Sequence, residues 1–237
     1  MHLSYEFRTN NSRANVEQVM RWIESADKLS TSFISDGTKK LLKDALKPIA
    51  PLSTMWASID DELVEVAIEI NDKTGVYGYT DTQSGEFITV NQAELEQCRI
   101  DVPSFIQNLQ TSVGLASGPI ELVNNHFWFI GSVLLNDNRV APLFLARELD
   151  NDVTSFEVIN SITKGDFDEG VIISTAPRIQ GGYSLAGQQL VRLNNVSKIT
   201  NSGIGLDMKK LGNLFMCHSN ALNNLNSGDF AELPTPH

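Results

Sequence analysis

One run of six residues, Gly170-Val171-Ile172-Ile173-Ser174-Thr175, constrains the fold more than any other part of the chain. Its three central residues are apolar and β-branched, with no polar residue alternating between them. A strand with one wet face shows a period of two, and this run does not. It suits a strand covered on both faces, as in parallel pairing between helices. A chain carrying such a strand needs a crossover helix and a second sheet layer of contacts, which points to a mixed α/β architecture.

The first half has a different rhythm. Val16, Val19, Met20 and Ile23 recur at helical spacing, with Trp22 and Ala26 widening the stripe and Asn15 with Gln18 as an N-cap pair. A second helix is expected from about Asp36 to Lys47, with Leu42, Ala45, Leu46 and Ile49 on one face, stopped by Pro48 and Pro51. The period then changes to two in Glu62 to Ile70. Val76 to Thr80 and Glu86 to Val90 follow after short polar turns, so three strands are expected as an antiparallel meander. Two helices come next, the first opened by Asn91 with Glu94 and the second capped by Asp101 with Pro103 in its first turn.

Gly114 to Pro119 is a loop and the expected lobe boundary. Ile120 to Leu135 reads as two strands broken near Asn124-Asn125. Asn136-Asp137-Asn138 is a turn. Val140 to Ala146 is a strand whose Pro142 suggests an edge or a bulge. Thr154-Ser155-Phe156-Glu157 matches a capping box, with Phe156, Ile159 and Ile162 following on one side. Leu190 to Leu193 is a last short strand, and Met208, Leu211, Leu214 and Phe215 suggest a final helix. The expected fold is therefore α+β or mixed α/β, with an N-terminal helix pair and antiparallel meander followed by a mixed sheet flanked by helices. The expected lobes are 1–114 and 120–216, with a flexible tail at 217–237.

Charge narrows the partners. The formal net charge is -11, and residues 51–180 hold six basic against twenty acidic residues. Such a surface repels phosphate backbones at long range and disfavours broad, non-specific nucleic-acid binding. Cys98 and Cys217 have no companions at metal-ligand spacing, so a secreted disulfide scaffold is not expected. The first residues lack the basic and apolar regions of a secretory signal. The longest apolar stretch, Phe127 to Leu135, is too short to span a bilayer. A cytoplasmic protein with no membrane association is expected.

The chemical constellations are sparse. No nucleophile elbow is present, and the histidines are His2, His126, His218 and His237. His126 precedes Phe127-Trp128-Phe129 and reads as a structural histidine. Cys217 and His218 are neighbours and would point about 100° apart on a helix, which does not suit one metal ion. Asp166, Asp168 and Glu169, in the Gly165–Gly170 loop, are the candidate catalytic or cation-binding acids, with a solvated turn as the simpler reading. Gly181-Gly182 and Gly203-Ile204-Gly205 match no phosphate-binding loop and read as turns. Lys39, Lys43 and Lys47 recur at i+4 beside Lys40. They are the candidate nucleic-acid stripe, together with Arg147, or else an ordinary solvated helix face.

The stretch from about Phe129 to Ile199 resembles the core of Mrr-like restriction-endonuclease-type domains. Gly170 to Thr175 looks like the glycine-led strand with paired hydroxyl residues of that family, and Gln189 to Asn195 is similar to its closing strand. Thr154 to Ile162 would be the intervening helix. The resemblance implies an Asp on one strand and an acidic residue or Gln, two before a Lys, on the next, together holding Mg²⁺. Ser132 stands at the first place, and Leu145-Ala146-Arg147 at the second. Leu145 cannot ligate a metal, and Arg147 is a permanent cation that cannot act as a base.

The functional expectation is a non-catalytic accessory or interaction subunit of a larger intracellular assembly, of the nucleic-acid-processing or defence kind, with another protein as its partner. Trp56, Tyr77 and Tyr79 are candidate anchors for that partner, although aromatic residues on strands are more often core. No cofactor is expected. One alternative is a Mg²⁺-dependent nuclease with Asp166, Asp168 or Glu169 as ligands. The other is a small-molecule sensor with a pocket between lobes.

Overall fold

A computed structural model describes residues 3–25, 28–59, 61–134, 139–179, 183–201 and 203–213. The architecture is α+β, with several small antiparallel sheets and one mixed sheet. The chain divides into two compact units. One is formed by residues 25–105, and the other by 1–24 together with 106–237. The inserted unit thus interrupts the larger one. The division expected near Gly114 lies several residues beyond the observed one, and the first helix belongs with the second half of the chain.

Helix α1 spans Leu3–Ser25. It starts well before Asn15, which lies inside it rather than capping it. Nothing between residues 3 and 15 is Gly or Pro, so no residue there interrupts the helix. Val16, Val19, Met20 and Ile23 are buried, as their spacing requires.

The inserted unit holds β1 (Leu29–Ser30), α2 (Asp36–Leu42), β2 (Leu46–Ile49), β3 (Thr54–Ile59), β4 (Glu62–Ala67), β5 (Glu69–Ile70), β6 (Tyr77–Thr80), β7 (Phe87–Thr89), α3 (Gln92–Leu95) and β8 (Gln97–Ile100). The meander β5-β6-β7 is present where three strands were expected. Its first strand is only two residues, because Glu62–Ala67 separates to pair with β3. Strand β3 had no expected counterpart. Pro48 does not stop a helix. It sits in β2, opposite Cys98, at the edge of the β1-β8-β2 sheet where a missing N–H is tolerated. Ala57, Ile59, Val66, Tyr79, Val90 and Leu95 form one core cluster of this unit.

Helix α4 (Val102–Ser112) follows, with Asp101 accepting from Ser104 N at 3.3 Å as expected of a cap. The larger unit then builds β9 (Ile120–Val123), β10 (Phe127–Leu134), β11 (Val140–Ala146), α5 (Asp152–Gly165), β12 (Val171–Ser174), β13 (Tyr183–Leu185), β14 (Gln188–Arg192), α6 (Leu193–Val196), β15 (Ser197–Thr200) and β16 (Gly203–Leu206). Its six-stranded sheet has the order β13-β14-β12-β11-β10-β9. The strands β9, β10 and β11 are antiparallel, while β12 runs parallel to both β11 and β14. The long crossover α5 makes the parallel step possible.

The pairing registers align side chains in rows across the sheet. Trp128, Leu145, Ile173 and Val191 form one row, and Phe129, Phe144, Ile172 and Leu190 another. Phe144, Ile172 and Leu190 pack with Val158 and Ile162 of α5. The opposite row is equally buried, so both faces are covered. This is the environment that the Val171–Ile173 run demanded.

Three local expectations change. Pro142 lies in an interior strand, but its partner β12 begins pairing only at Leu143, so the absent N–H leaves no gap on that side. Helix α5 is capped by Asn151, whose side chain accepts from Val153 N and Thr154 N, rather than by Thr154. That shift turns Thr154, Val158 and Ile162 inward and leaves Phe156 exposed. Gly203 and Gly205 lie on β16, which pairs with β15. Residues 208–213 are helical, while Leu214, Phe215 and the 217–237 tail lie outside the described residues, as do the 136–138 turn and Ala26.

Gly170 shows how tightly β12 is seated. A Cβ there would fall 2.3 Å from the Pro142 carbonyl oxygen, which is backbone and cannot swing away. Gly170→Ala should therefore cost about 1–3 kcal/mol of stability by overpacking, measurable by denaturant unfolding.

Candidate functional site

The carboxyl ends of β11, β12 and β14 lie side by side, and each is followed by a polar residue. Arg147 follows β11, Thr175 follows β12, and Arg192 closes β14. Helix α1 supplies the groups that meet them. Glu24 accepts from Thr175 Oγ1 and, at 2.7 Å, from Glu148 N. Its backbone carbonyl accepts from Arg147 Nη2 at 3.1 Å. Two turns earlier, Glu17 accepts from Arg192 Nη2 at 2.9 Å and from Asn194 Nδ2.

The spacing explains the fit. Seven residues of helix advance about 10.5 Å, and two strand spacings are about 9.6 Å. Glu17 therefore meets the end of β14, while Glu24 reaches the ends of β12 and β11. The intervening residues Val19, Met20 and Ile23 are buried.

The region around Arg147 is the densest polar cluster. Arg147 is 3% exposed and bonds Glu148 Oε1 at 2.9 Å. Its Nε has no hydrogen-bond partner among the described residues. Glu148 adopts φ 56°, a left-handed conformation unusual for a side-chain-bearing residue. That turn aims its N–H at Glu24 while its carboxylate faces Arg147. His126 Nδ1 stands 3.7 Å from Glu148 Oε2, beyond hydrogen-bond reach. Burial pushes the Glu24 carboxyl above its ordinary value near 4.5. The bonds from Thr175 and Glu148 and the charge of Arg147 oppose that rise, and Asp150 adds to it.

Chemically, the cluster is closed. Both Glu24 oxygens are engaged, and the Arg147 guanidinium is almost wholly buried. Among the described residues, no group of three or more His, Cys, Asp or Glu side chains is placed to hold a metal ion.

The other candidates sit elsewhere. Asp166 ends α5 in a left-handed conformation at φ 46°. Asp168 and Glu169 are exposed at the amino end of β12, where Glu169 lies 3.7 Å from Arg139. Ser132 is paired with Pro142, toward that same amino end of β11. Arg147 is at the opposite end of β11, about 13 Å from Leu143 along the strand. The structure therefore does not bring Arg147 together with Ser132, Asp166, Asp168 or Glu169.

The lysine stripe is also dispersed. Lys39 and Lys40 are on α2, Lys43 falls in a 3-10 turn, and Lys47 is on β2. They share no single helix face, because the helix gives way to β pairing with β8. Tyr79 is core, Tyr77 is half-buried, and Trp56 is 65% exposed. Cys217, His218, His2, His237 and Gly181-Gly182 lie outside the described residues. Within the inserted unit, a cavity of about 630 Å³ is walled by Ile34, Leu46, Pro48, Ile49 and Tyr77, with Cys98 beside it. Burial pushes the Cys98 thiol up, against the opposing charge of Lys39.

Glu17 and Glu24 were not among the candidates from sequence. Their seven-residue spacing was visible, but nothing linear told which strand ends would face them. No protein-family model, curated protein or solved structure matches the chain.

Two outcomes test the cluster. Arg147→Ala removes one partner of a buried charge network and should cost about 3–5 kcal/mol in denaturant unfolding. Glu24 binds its proton more tightly in the native state than in the unfolded chain. Its contribution to stability is therefore full below the unfolded pKa and is lost as pH rises through the raised folded value. Glu24→Gln should flatten the fall in stability as pH rises above the ordinary carboxyl value near 4.5, read by urea unfolding at each pH.

Proposed function

We propose that this chain is a non-catalytic interaction subunit of a larger intracellular assembly, cytoplasmic and built partly on a nuclease-like scaffold. The observation that carries the reading is the closed carboxyl edge of the mixed sheet. Open α/β sheets take ligands at the carboxyl ends of their strands. Here that edge is covered by α1: Arg192 is paired with Glu17, and Arg147 is paired with Glu148 and bonded to the Glu24 backbone carbonyl. Where a nuclease of the Mrr type would place its metal-binding acid and lysine, this chain has Leu145, Ala146 and Arg147. The antiparallel β9-β10-β11 meander, the α5 crossover and the parallel β12 support the likeness. The hairpin β13 stands where the family order has a short helix.

A contact surface is available on the β3-β4 hairpin. Trp56 and Leu63 are exposed on its outer face, and large exposed apolar groups of this kind anchor partners. No helix among the described residues is long and apolar enough to cross a membrane.

The experiment has two arms. The purified chain, incubated with supercoiled plasmid in Mg²⁺ or Mn²⁺, should produce no nicking. Expressed in its native host, it should co-elute with a stoichiometric partner, and Trp56→Ala with Leu63→Ala should release that partner. Metal-dependent nicking abolished by Glu24→Ala or Asp168→Ala would overturn the proposal.

A further inference from the structure

The larger unit contains a second polar feature, away from the Arg147 cluster. A cavity of about 450 Å³ is lined by Arg13 and Val16 of α1, Asn194 and Asn195 of α6, Ser197, Lys198 and Ile199 of β15, and Lys210. Three of these eight residues are cations and none is an acid. In a chain of net charge -11, that concentration is not a by-product of general basicity.

Two carboxylates close by in the chain, Glu17 and Asp207, are already committed. Glu17, one turn along α1 from Arg13, is bound by Arg192 and Asn194. Asp207 accepts from Lys209 N at 3.1 Å and Lys210 N at 3.3 Å, capping the helix that carries Lys210. Its carboxylate reaches only 3.9 Å from the Lys210 ammonium. Lys210 is steered instead by the Ser197 carbonyl at 3.0 Å. Arg13 and Lys198 have no ion-pair partner among the described residues. Asn194 presents a further unmet need, because its Oδ1 is buried without a hydrogen-bond partner there. It is an acceptor, so it calls for a donor beside the anion.

We infer that this cavity binds a small phosphorylated molecule carrying hydroxyl or amino donors, of the nucleotide class. Arg13, Lys198 and Lys210 receive the phosphate, and Asn194 and Asn195 receive the donors. The volume falls within the range of small-ligand sites. The chain's net charge of -11 works against long-range attraction of a long nucleic-acid strand. The inference does not depend on the non-catalytic reading.

Isothermal titration of the full chain with ADP, inorganic pyrophosphate and a short single-stranded oligonucleotide tests it. ADP and pyrophosphate should bind, with affinity falling as salt rises, and ADP should bind the tighter of the two. Lys198→Glu and Arg13→Glu should each weaken ADP binding by about tenfold or more, while the unliganded melting temperature stays unchanged. Lys198→Arg should retain most of the affinity. No heat with either ADP or pyrophosphate would overturn the inference, and so would undiminished binding by both charge-reversed variants. Tighter binding of the oligonucleotide than of ADP would also overturn it, in favour of a nucleic-acid backbone.

Discussion

Two arginines at the carboxyl ends of β11 and β14 are both tied to α1, Arg192 through the Glu17 carboxylate and Arg147 through the Glu24 backbone carbonyl, with Glu148 as the anion of Arg147. Those ties organise the larger unit. Leaving Arg147 buried without Glu148 and the Glu24 carbonyl would strand a charge in a poorly solvating interior. The helix that brings Glu24 also brings Val16, Val19, Met20 and Ile23, so the polar and apolar demands are met together. The match between seven helical residues and two strand spacings lets one straight element satisfy both ends. The unusual backbone of Glu148 fits the same logic, because its strained conformation is held by a direct bond to Glu24.

Covering that edge has a functional corollary. In α/β proteins the carboxyl ends of parallel strands are where backbone groups and side chains converge on a ligand. Here the convergence is spent internally, on contacts between α1 and the sheet. Positive charge without an ion-pair partner among the described residues remains at Arg13 and Lys198, in a cavity that Lys210 also lines and that no carboxylate among the described residues lines. The molecule thus separates structural charge from available charge along one helix.

Much of the fold was legible because burial on both faces leaves a local mark. The α1 stripe and the β5-β6-β7 meander follow from side-chain period, the Val171–Ile173 run from the lack of one, and the β9–β10 break from Asn124-Asn125. What escaped was pairing between distant segments. Strands β3 and β8 have no strong pattern of their own, and β2 was hidden by the helical spacing of Leu42, Ala45, Leu46 and Ile49. Its partner, β8, lies some fifty residues away and overrides that local preference. Asn151 outcompeted Thr154 as a cap because its side chain reaches two free N–H groups. Arg147 was singled out from sequence, but its neighbours Glu24 and Thr175 come from α1 and from beyond β12, and only the sheet order joins them. The candidate acids at 166–169 were visible as a cluster in sequence, yet they belong to the other end of the sheet.

The first helix is translated long before the strands it completes. Glu17 and Asn194 are 177 residues apart, and the whole inserted unit emerges between them. At ribosomal speeds of about 5–20 residues per second, this interval lasts roughly ten to thirty-five seconds. For the first hundred or so of those residues, the apolar stripe of α1 precedes every strand of the six-stranded sheet. The inserted unit can close on itself meanwhile, since its cluster of Ala57, Ile59, Val66, Tyr79, Val90 and Leu95 lies wholly within residues 25–105. The larger unit is thus completed only after the inserted one has been made, because its first helix and its sheet lie on either side of it in the chain.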